Sequence, residues 1–160
     1  MRAMAGGESV PKGRKMDKHA TATALVMIDS KMRNKKRVLV VDDEPGILNF
    51  IRASLTLAGY EVTITTDGEE GLQLAQSGKP DIVLLDVVMV PLSGFDVLKK
   101  LRAFSQVPVI IFTARGHIFD LALEMGADDF IAKPFRPDEL KQKIEDILIS
   151  GDTEREESQL

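Results

Sequence analysis

Arg37-Val-Leu-Val-Val-Asp-Asp43 decides how the rest of the chain is read: four consecutive apolar residues, three of them valine, run into two carboxylates. A short valine-rich run of this kind suits a strand buried on both faces, as the strands of a parallel sheet are. Four further runs repeat the pattern, at Glu61–Thr65, Asp81–Leu85, Val107–Phe112 and Asp128–Ala132. Polar residues stand where most of these runs stop: Asp86 after Ile82-Val-Leu-Leu85, Thr113 after Val109-Ile-Ile-Phe112, and Lys133 after Phe130-Ile-Ala132.

Between the runs, apolar residues recur at spacings of three and four, as in Ile47, Leu48, Ile51 and Leu55, or Leu140, Ile144, Ile147 and Leu148. That period marks helices with one buried face. Pro45 and Pro137 suit first helical positions, Asp67 with Glu70 three residues on suits a capped start, and Gly59, Gly78 and Gly126 suit stops. Five strands each followed by a helix give a parallel sheet with right-handed crossovers and helices on both faces. The class is therefore α/β, and the flavodoxin-like (βα)5 three-layer sandwich, a common arrangement of five parallel strands, is the expected fold. Its five-stranded parallel sheet of order 2-1-3-4-5 has its switch point between the first and third strands. That order sets Asp42, Asp43 and Asp86 side by side on the rim where open α/β sheets bind ligands.

Composition bounds the alternatives. The chain has 160 residues, no cysteine and a net charge of −4. Thiolate metal sites, disulfides and thiol catalysis are excluded, and the acidic balance argues against direct nucleic-acid binding by the chain as a whole. No apolar run is long enough to span a bilayer. Residues 1–37 carry ten Lys or Arg against three Asp or Glu, a charge of +7 that leaves −11 for residues 38–160. Residues 1–36 read as a basic, disordered N-terminal tail, residues 37–150 as the folded domain, and residues 151–160 as an acidic C-terminal tail. The weak resemblance of Ala20–Ile28 to a signal core lacks a cleavage site, so the expected location is cytoplasmic.

Three carboxylates within a few ångströms repel one another unless a cation neutralises them. Mg²⁺ is the natural choice, being hard, oxygen-seeking and accustomed to one or two carboxylates plus phosphate oxygens; the lack of nearby Cys or His argues against zinc. A carboxylate in such a site is also a nucleophile for a phosphoryl group. Lys133 would steady the anion and Thr113 would donate to a phosphoryl oxygen.

The segments Val40-Val-Asp-Asp-Glu-Pro45, Asp86 with Ser93-Gly94, Thr113-Ala-Arg115 and Gly126-Ala-Asp-Asp-Phe-Ile-Ala-Lys-Pro-Phe135 together resemble the receiver domain of bacterial two-component response regulators. The resemblance spans about Lys36 to Ile149. It implies that Asp86 accepts a phosphoryl group from the phosphohistidine of a sensor histidine kinase or a phosphotransfer protein. Asp42, Asp43, Asp86 and the backbone carbonyl of Val88 are then the Mg²⁺ ligands, Asp42 directly or through water. Thr113 and Lys133 contact the phosphoryl group, and Phe130 turns inward as Thr113 shifts. The Lys133–Pro134 bond resembles the family's cis peptide. The chain on this reading is no enzyme beyond self-phosphorylation and slow autodephosphorylation. Its partners are the kinase, a downstream output protein or a lost output domain, and a second copy meeting it through the fourth helix, fifth strand and fifth helix.

Each residue has a plainer explanation. Asp43 would cap the helix at Pro45, Asp86 would start a turn, Thr113 would satisfy a strand-end amide, and Lys133 would be a surface lysine. Phe130 would be a core residue, and all of these together would be a coincidence of five. Competing functions are a haloacid-dehalogenase-like phosphatase, which wants a carboxylate where Val88 stands, and a receiver-shaped module that works through protein contacts alone. His117 lies outside the constellation and is expected on a helix surface, and His19 lies in the tail. Two departures from the family pattern stand out: Val90 occupies a position where proline is common, with Pro91 following, and the spacing from Thr113 to Lys133 is about two residues short. The fourth helix of the repeat is accordingly expected to be short or irregular at its start.

Overall fold

A computed structural model describes residues 18–157 and divides the chain into two units, Met1–Asn34 and Lys35–Leu160. In the second unit, strands β1 (Arg37–Val41), β2 (Glu61–Thr65), β3 (Ile82–Leu85), β4 (Val109–Thr113) and β5 (Asp129–Ala132) form one sheet. All pairings are parallel and the order is β2-β1-β3-β4-β5, as the sequence predicts. Helices α2 (Pro45–Leu57), α3 (Gly68–Gly78), α4 (Gly94–Arg102), α5 (Phe119–Glu124) and α6 (Pro137–Glu157) follow the strands in turn.

Alternation along the strands builds the two cores. Val38, Val40, Ile82, Leu84, Ile110 and Phe112 face Leu48, Ile51 and Leu55 of α2 and Leu140 and Ile144 of α6. Leu39, Val41, Val83, Leu85, Val109 and Ile111 face Leu72 of α3, Val97, Leu98 and Leu101 of α4, and Ala122 of α5. Each fully buried Leu or Ile contributes roughly 1.5–3 kcal/mol relative to exposure, which explains why β1, β3 and β4 read as unbroken apolar runs. The edge strand β2 alternates instead, with Glu61 and Thr63 exposed.

Register delivers the rim. Val41 lies opposite Leu85, so the next residue on each strand, Asp42 and Asp86, emerges at the same height. The ladder runs one step further, with the Asp42 amide donating to the Thr65 carbonyl at 3.2 Å and the Asp86 amide to the Val41 carbonyl at 2.9 Å.

Several boundaries differ from the sequence reading. β3 starts at Ile82 because the Asp81 carboxylate instead accepts from the Arg37 amide at 2.7 Å. β4 starts at Val109, after Pro108, which has no amide to donate. Thr113 is the last residue of β4, paired with Ala132, rather than the residue beyond it. Gly78 ends α3, but the left-handed position falls on Lys79 at φ 44°, whereas Gly59 and Gly126 take positive φ as expected.

The tails also differ from expectation. Lys18–Arg33 form a helix, α1, where no regular structure is expected. The alanine-rich stretch Ala20–Ala24 followed by Leu25 and Met27 supplies the propensity that the search for an amphipathic period passed over. α6 continues through Gly151 to Glu157 instead of ending near residue 150. Lys36 holds Asp152 of this extension at 3.1 Å. The remainder of the N-terminal tail and the last three residues lie outside the described residues. Among those described, no helix is long and apolar enough to cross a membrane.

Candidate functional site

The acidic rim is assembled by three turns. After β1, the Asp42 carboxylate folds back so that Oδ1 accepts from the Glu44 amide at 2.8 Å. Helix α2 then begins with Glu44 as its N-cap residue and Pro45 at its first turn, and no side chain caps it. The plain explanation of Asp43 as a cap is therefore excluded. After β3, Asp86 Oδ1 accepts from the Val88 amide at 3.1 Å. The chain then returns at Ser93, whose hydroxyl accepts from the Asp96 amide and starts α4. Gly94 packs so closely beneath this turn that a Cβ would lie 2.1 Å from the Asp86 carbonyl oxygen and 2.5 Å from Val87 Cα. Only glycine permits that approach, and it sets the path of the loop leaving Asp86.

Asp42 and Asp86 are almost sealed, at 0 % and 2 % exposure, while Asp43 is more open. One carboxylate oxygen from each lies within 4.8 Å of the others. Lys133 reaches over from the end of β5, its Nζ 2.6 Å from Asp42 Oδ2, 3.2 Å from Asp86 Oδ2 and 3.7 Å from Glu44 Oε1. Its side chain is only 11 % exposed, and the ammonium also stands 4.9 Å from the centre of the Phe112 ring. The Lys133–Pro134 bond is cis, as the sequence suggests, and so is Val90–Pro91. Asp43 has no hydrogen-bond partner among the described residues, so it is the carboxylate left available to a ligand.

Burial pushes the Asp86 carboxyl above the usual carboxylate range. The Val88 amide and Lys133 pull it down, Asp42 pushes it up, and the net direction is upward. Burial works the other way on Lys133, yet its bond to Asp42 and the Asp86 charge outweigh that and raise it above the ordinary lysine value. The ammonium is thus a fixed charge at neutral pH, and the single cation under-neutralises three carboxylates. All donors are hard oxygens and the described cluster includes no His or Cys. That donor set fits Mg²⁺.

Thr113 is fully buried at the end of β4, its hydroxyl accepting from the Arg115 amide at 3.3 Å and its carbonyl from the Lys133 amide at 2.9 Å. The structure therefore brings Asp42, Asp43, Asp86, Val88, Thr113 and Lys133 together on one rim. Phe130 sits on the edge strand β5, three residues before Lys133, half-buried and stacked on Phe119. A cleft of about 360 Å³ opens beside Asp43, walled by Val88, Val90, Phe95, Arg115 and Ile118. Sequence reasoning missed Glu44 as a neighbour of Lys133, although it is the third acid of the Asp42-Asp43-Glu44 run. It also missed Phe119, for which no pattern signal exists. His117 is exposed in a 3₁₀ turn at Gly116–Ile118, away from the cluster, as expected.

Comparisons with known proteins agree with this geometry. A family model described as the response regulator receiver domain matches residues 38–145. The probable transcriptional regulator ycf27 of Cyanophora paradoxa is 45 % identical over 117 residues, covering 72 % of this chain and 49 % of the relative. The alkaline phosphatase synthesis transcriptional regulatory protein PhoP of Bacillus subtilis is 42 % identical over 116 residues, covering 71 % and 48 %. The chain spans about half the length of the curated relatives it matches. Among solved structures, a CheY-like response regulator receiver domain protein from Methanospirillum hungatei superposes with a TM-score of 0.71 at 30 % identity, covering 76 % of this chain and 99 % of that one. Chemotaxis protein CheY4 of Vibrio cholerae, crystallised at low pH, gives a TM-score of 0.66 at 32 % identity, covering 69 % and 97 %.

Proposed function

This chain belongs to the response regulator receiver domain family, and on that premise we propose that Asp86 is a phosphoacceptor loaded from a histidine kinase or phosphotransfer protein. The observation that carries the reading is the placing of Asp86: nearly sealed, 3.2 Å from Lys133 Nζ, and grouped with two further carboxylates at the switch point of the sheet. A carboxylate oxygen of Asp86 attacks phosphorus, the P–N bond of the phosphohistidine breaks, and the departing imidazole nitrogen keeps the electron pair. Lys133 is positioned to neutralise charge on the phosphoryl oxygens. Thr113 contributes its hydroxyl, which the chain holds at the end of β4.

Asp43 and Asp86, with the Val88 carbonyl and Asp42 directly or through water, would hold Mg²⁺. The ion supplies neutralisation of the acidic cluster and of the phosphoryl oxygens. Once Asp86 is modified, Lys133 and Thr113 are drawn to the new anion and Phe130 fills the space that Thr113 leaves, a local charge change biasing a two-state element. The reaction is stoichiometric, not turnover of a free substrate. The chain acts on this reading in the cytoplasm, with a sensor kinase upstream and an output protein or output domain downstream, and with α5, β5 and α6 as its dimer face.

Incubation with acetyl phosphate and Mg²⁺ tests the reading. One phosphoryl group should be added to the wild type and none to Asp86→Asn; labelling that survives the substitution would sink the assignment. The phosphatase alternative predicts turnover of small phosphate esters, and the open, uncharged Val88 side chain, 41 % exposed, does not favour it.

A further inference from the structure

Phe130 is the residue that the switch moves, and its ring is already engaged on two sides. It stacks on Phe119, with centroids 4.0 Å apart and planes 16° apart. Lys143 of α6 holds both carboxylate oxygens of Asp129 at 3.0 and 2.9 Å and stands 5.6 Å from the centre of the Phe130 ring. The segment between Thr113 and Lys133 supplies the partner ring. The chain leaves β4 through the 3₁₀ turn at Gly116–Ile118, and α5 starts only at Phe119. Gly116 of that turn lies near the Phe119 ring, where an added Cβ would be 3.4 Å from Cε2. Phe119 thus follows directly on a tight turn and stacks on Phe130 of β5.

We propose that Phe119 is a positioning residue for the switch: with Lys143, it holds Phe130 in its unphosphorylated place and thereby sets how much of the chain occupies the activated arrangement before phosphorylation. The inference rests on the phosphoacceptor reading and on Phe130 as the moving ring. A ligand can shift a two-state element only by its differential affinity for the two states, and its apparent affinity falls with the fraction of competent chain. On the proposed switch the stack is broken when Phe130 turns inward, so a pair made in the present arrangement lowers that fraction. Removing the stack tightens an activating ligand about three- to tenfold, the size of a typical aromatic pair.

The test is a titration of the full chain, labelled with fluorophenylalanine, with beryllofluoride in excess Mg²⁺. It is followed by fluorine NMR, with the Phe130 resonance assigned from Phe130→Leu. Phe119→Leu, which keeps apolar bulk but no ring, should move the free-state Phe130 resonance toward its bound position and lower the midpoint about three- to tenfold. Phe119→Tyr, which keeps the ring, should behave as wild type, and Lys143→Met should shift the midpoint in the same direction as Phe119→Leu by less. An unchanged midpoint in Phe119→Leu, or an equal shift in Phe119→Tyr, overturns the inference and leaves the phosphoacceptor reading intact. A wild type that takes up no beryllofluoride overturns both. Urea unfolding of each variant separates the effect from loss of folded protein, since general destabilisation would weaken binding rather than tighten it.

Discussion

Asp43→Asn should stabilise the metal-free domain, although it removes a charge from the most functional part of the surface. The three carboxylates place ligand oxygens within 4.8 Å of one another. Lys133 bonds Asp42 and Asp86, and Asp43 has no partner among the described residues. At that separation and an effective dielectric near 20, each like-charge pair costs about 3.5 kcal/mol. Asp43 faces two such pairs, but it is partly exposed, and the Lys133 charge acts on it as well. Solvent screening reduces exposed pairs to about 1 kcal/mol or less, so a net gain of about 1–2 kcal/mol is expected. For a domain of this size that corresponds to roughly 3–8 °C in Tm. The assay is urea unfolding of wild type and variant, each in chelator and in excess Mg²⁺. Wild type should gain stability with Mg²⁺, by about 2.7 kcal/mol at a hundredfold excess over Kd, and Asp43→Asn should lose most of that gain. A variant less stable than wild type in chelator would refute the repulsion argument. A variant that retains the full Mg²⁺ gain would refute Asp43 as a ligand.

Lys133→Met leaves two sealed carboxylates without their cation and should cost about 3–5 kcal/mol in urea unfolding, partly recovered when Asp42→Asn is added. Gly94→Ala drives a Cβ against the Asp86 carbonyl. Melting should show a loss of about 1–3 kcal/mol together with slower phosphorylation, whereas Ser93→Ala should cost about 1 kcal/mol and leave the phosphorylation rate near wild type. Because burial raises the Asp86 carboxyl in the folded state, its contribution to metal-free stability is fully present below the unfolded carboxylate range. That contribution disappears as pH rises through the higher folded value. Comparing the pH dependence of unfolding for wild type and Asp86→Asn in chelator should show this difference above the ordinary carboxylate range, and phosphorylation should fall off as pH drops through the same window.

Where the strands lie could be read from the sequence because buried parallel strands leave an unbroken apolar run and the edge strand an alternating one, each ended by a polar residue; their order follows from no such run and rests on the common arrangement of five parallel strands. Arg37–Val41 and Glu61–Thr65 have the bounds the sequence reading assigns them. The ends that shifted did so for reasons of backbone hydrogen bonding: Asp81 turns its carboxylate to the Arg37 amide, and Pro108 has no amide. The rim was legible because each of its residues abuts such a run. Phe119 was not, since nothing in a helical period says which ring will meet Phe130 once the preceding turn tightens. α1 escaped for a different reason. Its helix rests on alanine-rich propensity, and Leu25, Val26, Met27 and Ile28 form a consecutive apolar run without helical spacing, so no three-and-four period marked it.

The central claim is that Asp86 carries the phosphoryl group, and trapping the acyl phosphate tests it at the atom. Borohydride reduction after exposure to acetyl phosphate and Mg²⁺ cleaves an aspartyl phosphate to homoserine, which tandem mass spectrometry locates in the chain. Homoserine at position 86 alone is the predicted result; homoserine at position 42 or 43, or none anywhere, would contradict it.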